Sequence, residues 1–249
     1  ERLVYLLRSQ RKRLVWTDRK GKELGALGGT GEYVDVRLSP DGRRAAVTER
    51  DPGRGENLDV WVLDAARGTG TRITVERTDE FDPAWFPDGE RLIYVSDHAG
   101  FYDLYERPAD GGSEKVLIRT KQDKVTPTVS PDGRWLLYTV LQGGDGNPAR
   151  YLAPVDGRGG ARRLSGTSAF FEAHGEISPD GRWSAFESNE SGQPEVFVQP
   201  LSGGPKRPVS AGGGHMPVWR RDGAELFYTS PGGMLMSVAL RSSGGRLEP

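Results

Sequence analysis

Ser130-Pro131-Asp132-Gly133-Arg134-Trp135 is the stretch that decides the fold, because close copies of it recur along the chain. Copies lie at residues 39–43 (SPDGR), 86–91 (FPDGER) and 178–183 (SPDGRW), and residues 220–223 keep a reduced form (RRDG). The turn aspartates stand at positions 41, 88, 132, 180 and 222, so the repeat is 42 to 48 residues long. This period is typical of a four-stranded β repeat rather than a helical pair.

Each copy predicts a tight turn between two strands. Proline fixes the backbone angle required at the second position, aspartate bonds backbone groups two residues later, and glycine accepts the positive φ that follows. Short extended segments precede the turns, and apolar runs such as Arg91-Leu92-Ile93-Tyr94-Val95 follow them. Their length and their β-branched and aromatic content predict buried strands.

A four-stranded meander repeated at this period predicts an all-β fold, a six-bladed β-propeller of antiparallel blades. We predict one domain over residues 1–249, with blades at about 1–31, 32–78, 79–120, 121–165, 166–210 and 211–249. The first predicted blade lacks its first strand and turn, and the last has only a short fourth strand, so both are expected to be incomplete.

Composition limits the classes of partner. The formal net charge is -1, which does not indicate a nucleic-acid partner. The chain has no cysteine, so disulfides and thiolate chemistry are excluded. No apolar run approaches the roughly 18 residues of a membrane helix, so we expect no membrane insertion by this chain.

The repeats resemble the WD40-like PD40 repeats of TolB-type six-bladed propellers. The resemblance rests on the SPDGR turns, on strand ends such as Ser96-Asp97 and Glu187-Ser188-Asn189, and on residues 14–21 (LVWTDRKG). Such propellers occur as periplasmic TolB, as extracytoplasmic domains of bacterial serine/threonine kinases, and beside the catalytic domain of prolyl-oligopeptidase-type peptidases. Among these, the repeats of this sequence resemble the kinase-linked propellers most. The resemblance implies a bacterial multidomain protein and a periplasmic or extracytoplasmic location.

Enzyme signatures are missing from the sequence. We find no G-x-S-x-G nucleophile motif, P-loop, HExxH motif or EF-hand loop, so no residue is predicted to be catalytic.

Alignment of the repeats on the turn aspartate identifies a candidate ligand site. In a propeller the first strand of each blade lines the axis, so polar residues near its start are expected around one mouth of the central channel. Counted back from the turn aspartate, they lie six, seven or eight positions away, and an apolar pair precedes one of these strands. The predicted ligand-binding residues are Asp35, Glu80, Asp82, Glu172, His174 and His215, with Phe170 and Phe171 as apolar contacts.

Simpler roles remain open for these residues. The aspartates could bond local backbone groups, and Phe170 and Phe171 could tuck beneath a blade. His174 and His215 could hold a divalent cation together with Glu172. The tryptophans at strand positions are expected to pack between blades.

The function predicted from the sequence is that of a non-catalytic binding or sensing module. It would be a monomeric domain of a larger bacterial protein, take a protein or peptide partner at the channel mouth, and need no cofactor. The alternatives are a metal-dependent lyase or lactonase with a divalent cation at the mouth, and the accessory propeller of a prolyl-oligopeptidase-type peptidase.

Overall fold

A computed structural model describes residues 3–6, 11–50, 57–142, 146–164, 169–243 and 246–248, and in these ranges the chain is all β. The strands, in chain order, are β1 (Leu3–Leu6), β2 (Lys12–Thr17), β3 (Glu23–Leu38), β4 (Arg44–Arg50), β5 (Leu58–Asp64), β6 (Gly70–Arg72), β7 (Glu80–Trp85), β8 (Arg91–Ser96), β9 (Asp103–Pro108), β10 (Lys115–Ile118), β11 (Lys124–Val129), β12 (Trp135–Val140), β13 (Ala149–Pro154), β14 (Arg162–Arg163), β15 (Glu172–Ile177), β16 (Trp183–Ser188), β17 (Glu195–Pro200), β18 (Arg207–Pro208), β19 (His215–Trp219), β20 (Glu225–Thr229), β21 (Leu235–Ala239), β22 (Arg241–Ser243) and β23 (Arg246–Glu248).

The chain divides into two compact units, Glu1–Lys121 and Gln122–Pro249. Unit 1 holds a six-stranded sheet in the order β1 to β6 and a four-stranded sheet of β7 to β10. Unit 2 holds the four-stranded sheets β11 to β14 and β15 to β18, the three-stranded sheet β19 to β21, and the hairpin of β22 and β23. All strand pairs are antiparallel neighbours in sequence, as expected of propeller blades. That residues 1–249 form one domain stays a prediction.

The turns form as the repeat predicts. In unit 2 the Ser178 hydroxyl donates to Asp180 Oδ1 at 2.6 Å and accepts the backbone N–H of Trp183 at 2.9 Å. Gly181 then takes a positive φ of 71°. The same two serine hydrogen bonds occur at Ser39 and at Ser130. In these three turns the hydroxyl adds to the backbone hydrogen bonds that close all five turns and that fix which residues of the flanking strands face each other.

The prediction of six blades is wrong. Among the described residues there are five sheets of three or more strands, because β3 runs without a break from Glu23 to Leu38. Its first part pairs with β2 and its second part with β4. The predicted first and second blades therefore share one sheet. The predicted boundary between residues 31 and 32 falls inside this strand, which also continues through the glycines at positions 28, 29 and 31.

Apolar faces of neighbouring sheets pack together within each unit. In unit 1 Trp85 belongs to a buried cluster with residues of β4, β5, β8 and β9, and its indole N–H donates to the carbonyl of Arg37 at 2.9 Å. In unit 2 Trp183 is 7% exposed in an equivalent cluster. The tryptophan prediction fails at Trp135, which is 36% exposed.

We predict that Ser178→Ala destabilises the chain by about 1–3 kcal/mol, since it leaves the amide of Trp183 without this acceptor in a buried turn. Urea unfolding of the purified chain measures the change. Ser202→Ala, at an exposed serine of the same unit, serves as the control. Equal losses in both variants would contradict a specific role of the turn hydroxyl.

Candidate functional site

The first strands of four sheets share an unusual backbone feature. In β7, β11, β15 and β19 one non-glycine residue has φ near +50°, and the strand register shifts beside it. These residues are Asp82, Thr126, His174 and Met216. They are the residues that stand six positions before the turn aspartate. A left-handed backbone costs an ordinary residue roughly 1–2 kcal/mol, and such bulges redirect side chains and backbone groups.

In two of these sheets the side chain of the bulge residue meets that of the fifth residue of the second strand. The hydroxyls of Thr126 and Thr139 lie 3.0 Å apart, and His174 Nδ1 lies 2.8 Å from Glu187 Oε1. In the first sheet Asp35 stands opposite Thr48. A polar pair therefore recurs at this position in three sheets, one in unit 1 and two in unit 2.

In unit 1, Asp35 and Asp82 form a carboxylate pair on neighbouring sheets. Both carboxylate oxygens of Asp35 are buried and accept no hydrogen bond of good geometry from the described residues. Burial raises the pKa of Asp35 to about 7, and the negative charge of Asp82 adds to the shift. The Thr48 hydroxyl, the charge of Arg37 and the backbone N–H of Asp82 oppose it in part. Asp35 is therefore partly protonated near neutral pH.

Glu80, at the start of β7, is a second acid whose pKa is raised. Its side chain is buried, and Oε1 accepts hydrogen bonds from Thr78 Oγ1 at 2.6 Å and Ser96 Oγ at 2.9 Å. Burial raises the pKa of Glu80 to about 7, because these neutral donors oppose the shift only in part. We refer to Asp35, Glu80 and Asp82 as the unit 1 polar site.

In unit 2, Glu187 brings the two predicted histidines together. Its Oε1 lies 2.8 Å from His174 Nδ1, and its Oε2 lies 3.3 Å from His215 Nδ1. The backbone N–H of Met216 also donates to Oε2 at 3.3 Å. The carboxylate side chain is 8% exposed, whereas the imidazoles are 34% and 35% exposed. We refer to His174, Glu187 and His215 as the unit 2 polar site.

The electrostatics of Glu187 follow from these contacts. Burial acts to raise its pKa, but the hydrogen bond and charge of His174, the amide of Met216 and the charge of His215 together lower it. Glu187 is therefore an ionised anchor that orients two partly exposed imidazole rings. A site of this kind offers hydrogen-bond donors and acceptors to a ligand.

Glu172 does not lie with His174 and His215, as a shared cation site would require. Its buried carboxylate accepts hydrogen bonds from Arg150 Nε at 3.0 Å and Nη2 at 2.8 Å, and from Lys206 Nζ at 2.9 Å. Burial acts to raise the pKa of Glu172, but the charges of Arg150 and Lys206 outweigh it and lower the pKa. In the structure, Glu187 rather than Glu172 contacts His174 and His215.

Phe170 and Phe171 lie immediately before β15. Phe170 is 42% exposed, and the backbone N–H of Phe171 donates to Asn189 Oδ1 at 3.0 Å. Phe170 therefore presents apolar surface next to the strand that carries His174. The alternative that the sequence left open, in which Phe170 packs beneath a blade, is therefore wrong for this residue.

Sequence reasoning missed Glu187 as a site residue. Its signal was available, because Glu187 is the fifth residue of its strand, as Thr139 is of the preceding blade's second strand. Only the strand register shows that this position faces the bulge.

The described part of the chain holds neither a cluster of metal-ligating side chains nor a membrane-spanning helix. No group of three or more His, Cys, Asp or Glu side chains is arranged there to hold a metal ion. Within the same ranges, no helix is long and apolar enough to cross a membrane.

The raised pKa values in unit 1 predict a dependence of stability on pH. A carboxyl whose pKa rises on folding binds its proton more tightly in the folded state, so stability falls as pH increases from about 4 to about 7. Each pKa unit corresponds to about 1.4 kcal/mol. We expect Asp35→Asn to flatten this fall in thermal unfolding experiments between pH 4 and pH 8.

Asp110→Asn, at an exposed turn residue of unit 1, is the matched control and should leave the pH profile unchanged. Glu80→Gln should flatten the profile in the same direction as Asp35→Asn. A profile that is identical in the chain and in both acid-to-amide variants would contradict the assignment of these buried protons.

Comparisons with known proteins agree with this architecture. Residues 29–147 match the family model described as PD40, the TolB beta propeller domain. The uncharacterised peptidase YuxL of Bacillus subtilis is 27% identical over 192 residues, which cover 63% of this chain and 29% of YuxL. A TolB homologue of Chlorobium luteolum is 29% identical over 159 residues, which cover 48% of this chain and 36% of that protein. The chain thus spans less than two fifths of the length of either relative.

The structural likeness extends over almost the whole chain. The crystal structure of TolB from Acinetobacter baumannii matches with a TM-score of 0.81 and 21% identity, over 99% of this chain and 62% of that protein. At this identity the likeness shows the fold. The closer resemblance to kinase-linked propellers gains no support from these matches. On its repeats, its fold and its family match, this chain carries a PD40 TolB-type β-propeller domain.

Proposed function

We propose that this propeller is a non-catalytic binding module of a larger bacterial protein and that it takes a protein or peptide partner. The observation that carries the proposal is the unit 2 polar site, where one buried carboxylate orients two partly exposed imidazole rings. Phe170 adds exposed apolar surface at the start of the same blade. Polar groups held in place beside an exposed aromatic ring are typical of a recognition surface.

The residues of the proposed site have two roles. His174, His215, Phe170 and Phe171 are the groups that a partner contacts in unit 2. Glu172 is proposed to act indirectly, because its buried carboxylate holds Lys206, which also pairs with Glu190. In unit 1, Asp35, Glu80 and Asp82 form a separate acidic group. The carboxylates of Asp35 and Glu80 are buried and their charge depends on pH, so Asp82 is the acid that we propose a basic segment of a partner contacts.

The parent protein and its location are part of the proposal. The chain covers only part of the length of its relatives, which supports a module joined to other domains. The TolB-type resemblance supports a location outside the cytoplasm. The TolB-like sequence and fold support a propeller module.

Replacement of the site residues tests the proposal. Immobilised chain is used to capture proteins from extracts of bacterial envelopes, and one captured protein is purified for surface plasmon resonance. We expect His174→Ala and Asp82→Ala to weaken its binding about tenfold or more, since each removes a polar anchor of one site. Asp110→Ala, at an exposed turn residue outside both sites, is the control.

Partner binding that is unchanged in His174→Ala and in Asp82→Ala would contradict the proposed sites. Partner binding that is lost in Asp110→Ala as well would show a general effect on the fold. Thermal unfolding of each variant separates these outcomes.

Metal content distinguishes the binding module from the metal-dependent lyase or lactonase. We expect plasma mass spectrometry of the purified chain to find far less than one equivalent of calcium, zinc or manganese, because Glu187 already engages both histidines. Titration calorimetry with each ion repeats the test in solution. Near-stoichiometric metal that is lost in His174→Ala would instead favour the enzyme.

A further inference from the structure

A groove of about 440 Å³ opens in unit 2 at the end of the blades that carries the Ser-Pro-Asp-Gly turns. It lies between the sheets β11 to β14 and β15 to β18, beyond the last residue of β15, whereas His174 lies near the start of that strand. It is therefore separate from the unit 2 polar site. The residues that line it are Ser130, Pro131, Asp132, Arg134, Trp135, Leu152, Arg162, Asp180, Gly181, Leu201 and Ser202. We call it the turn-side groove.

Trp135 sets this groove apart from the equivalent surface of the next blade. Trp135 and Trp183 are both the first residue of the second strand of their blade. Trp183 is 7% exposed and packs with the neighbouring sheet, but Trp135 is 36% exposed and lines the groove. An exposed indole face is a platform on which a planar ring can stack.

Arg162 supplies a positive charge to the same groove. Its Nη2 donates to the carbonyl of Leu201 at 2.6 Å, which fixes the guanidinium at the groove wall. Among the described residues it has no carboxylate partner. The planar fork retains further N–H donors, and this geometry suits a carboxylate, which it can bind through two parallel hydrogen bonds.

The two acids in the groove do not cancel this charge. Asp132 accepts hydrogen bonds from the Ser130 hydroxyl and from the backbone N–H and Nε of Arg134, which lower its pKa to about 2. Asp180 is held in the same way by Ser178 and Arg182. Each acid is paired with an arginine inside its own turn, so the positive charge of Arg162 remains available for an anionic ligand.

We propose that the turn-side groove binds a small aromatic carboxylate, with its ring on Trp135 and its carboxylate on Arg162. The volume falls within the range of roughly 300–1,000 Å³ that is typical of small-ligand pockets. The proposal does not depend on the function proposed for the polar sites. It concerns different residues at the opposite end of the same strands.

Naphthoate is the probe that tests the groove. For a ligand of this size we expect saturable binding with a Kd of about 1 mM, measured by ligand-observed NMR titration. The neutral amide of the same ring should bind about tenfold more weakly, because it cannot pair with the guanidinium. Naphthoate that binds no more tightly than the amide would overturn the role of Arg162.

Two substitutions locate the binding. Arg162→Gln should weaken naphthoate about tenfold, and Arg158→Gln, at an exposed arginine of the preceding turn that lies outside the groove, should leave the Kd unchanged. Trp135→Ala should weaken binding by a similar factor, whereas Trp135→Phe should retain most of it. Binding that Arg162→Gln leaves unchanged, or the absence of any saturable binding to the wild-type chain, would overturn the proposal.

Discussion

The structure depends on the backbone hydrogen bonds that close the five turns of the repeat, and in three of these turns a serine adds side-chain hydrogen bonds. The hydroxyl binds the turn aspartate and also the first amide of the following strand, so it joins the two strands at a fixed register. Since side chains alternate across a strand, a shift of one residue would exchange the buried and exposed faces. The turn therefore decides which residues reach the cores between the sheets and which reach the polar positions of the first strands.

The bulge in the first strand is the second constraint, and it is set by its distance from the turn. A left-handed residue at this position turns the backbone toward the preceding blade, as the amide of Met216 does when it donates to Glu187. A residue that disfavours the left-handed region keeps this conformation there, because the hydrogen bonds and packing of the surrounding sheet hold it in place. Aspartate tolerates the left-handed region better than most residues, as does histidine, and both occur at this position.

A glutamate at the same repeat position has its pKa shifted in opposite directions in the two units. Glu80 and Glu172 are each the first residue of an inner strand, and each is buried. Glu80 is bonded to two neutral hydroxyls, and its pKa rises to about 7. Glu172 is bonded to Arg150 and Lys206, and its pKa falls. The partners rather than the position decide whether the acid is charged, because burial penalises the charged form in both cases.

The sequence by itself determined the turns, the strands that flank them and the class of fold. These features are local or periodic, since proline, aspartate and glycine act on their own backbone and the apolar runs recur at a constant interval. It also identified Asp35, Asp82, His174 and His215 as a related set, because all lie at a similar distance from the turn aspartate.

Tertiary structure decided the number of sheets, since strand β3 continues through a glycine-rich stretch that resembles a boundary. Tertiary structure also decided that Glu187 and not Glu172 orients the histidines and that Trp135 stays exposed while Trp183 is buried. Each of these outcomes depends on which side chains face each other across strands and sheets, and that is a property of register and packing that no single stretch of sequence contains.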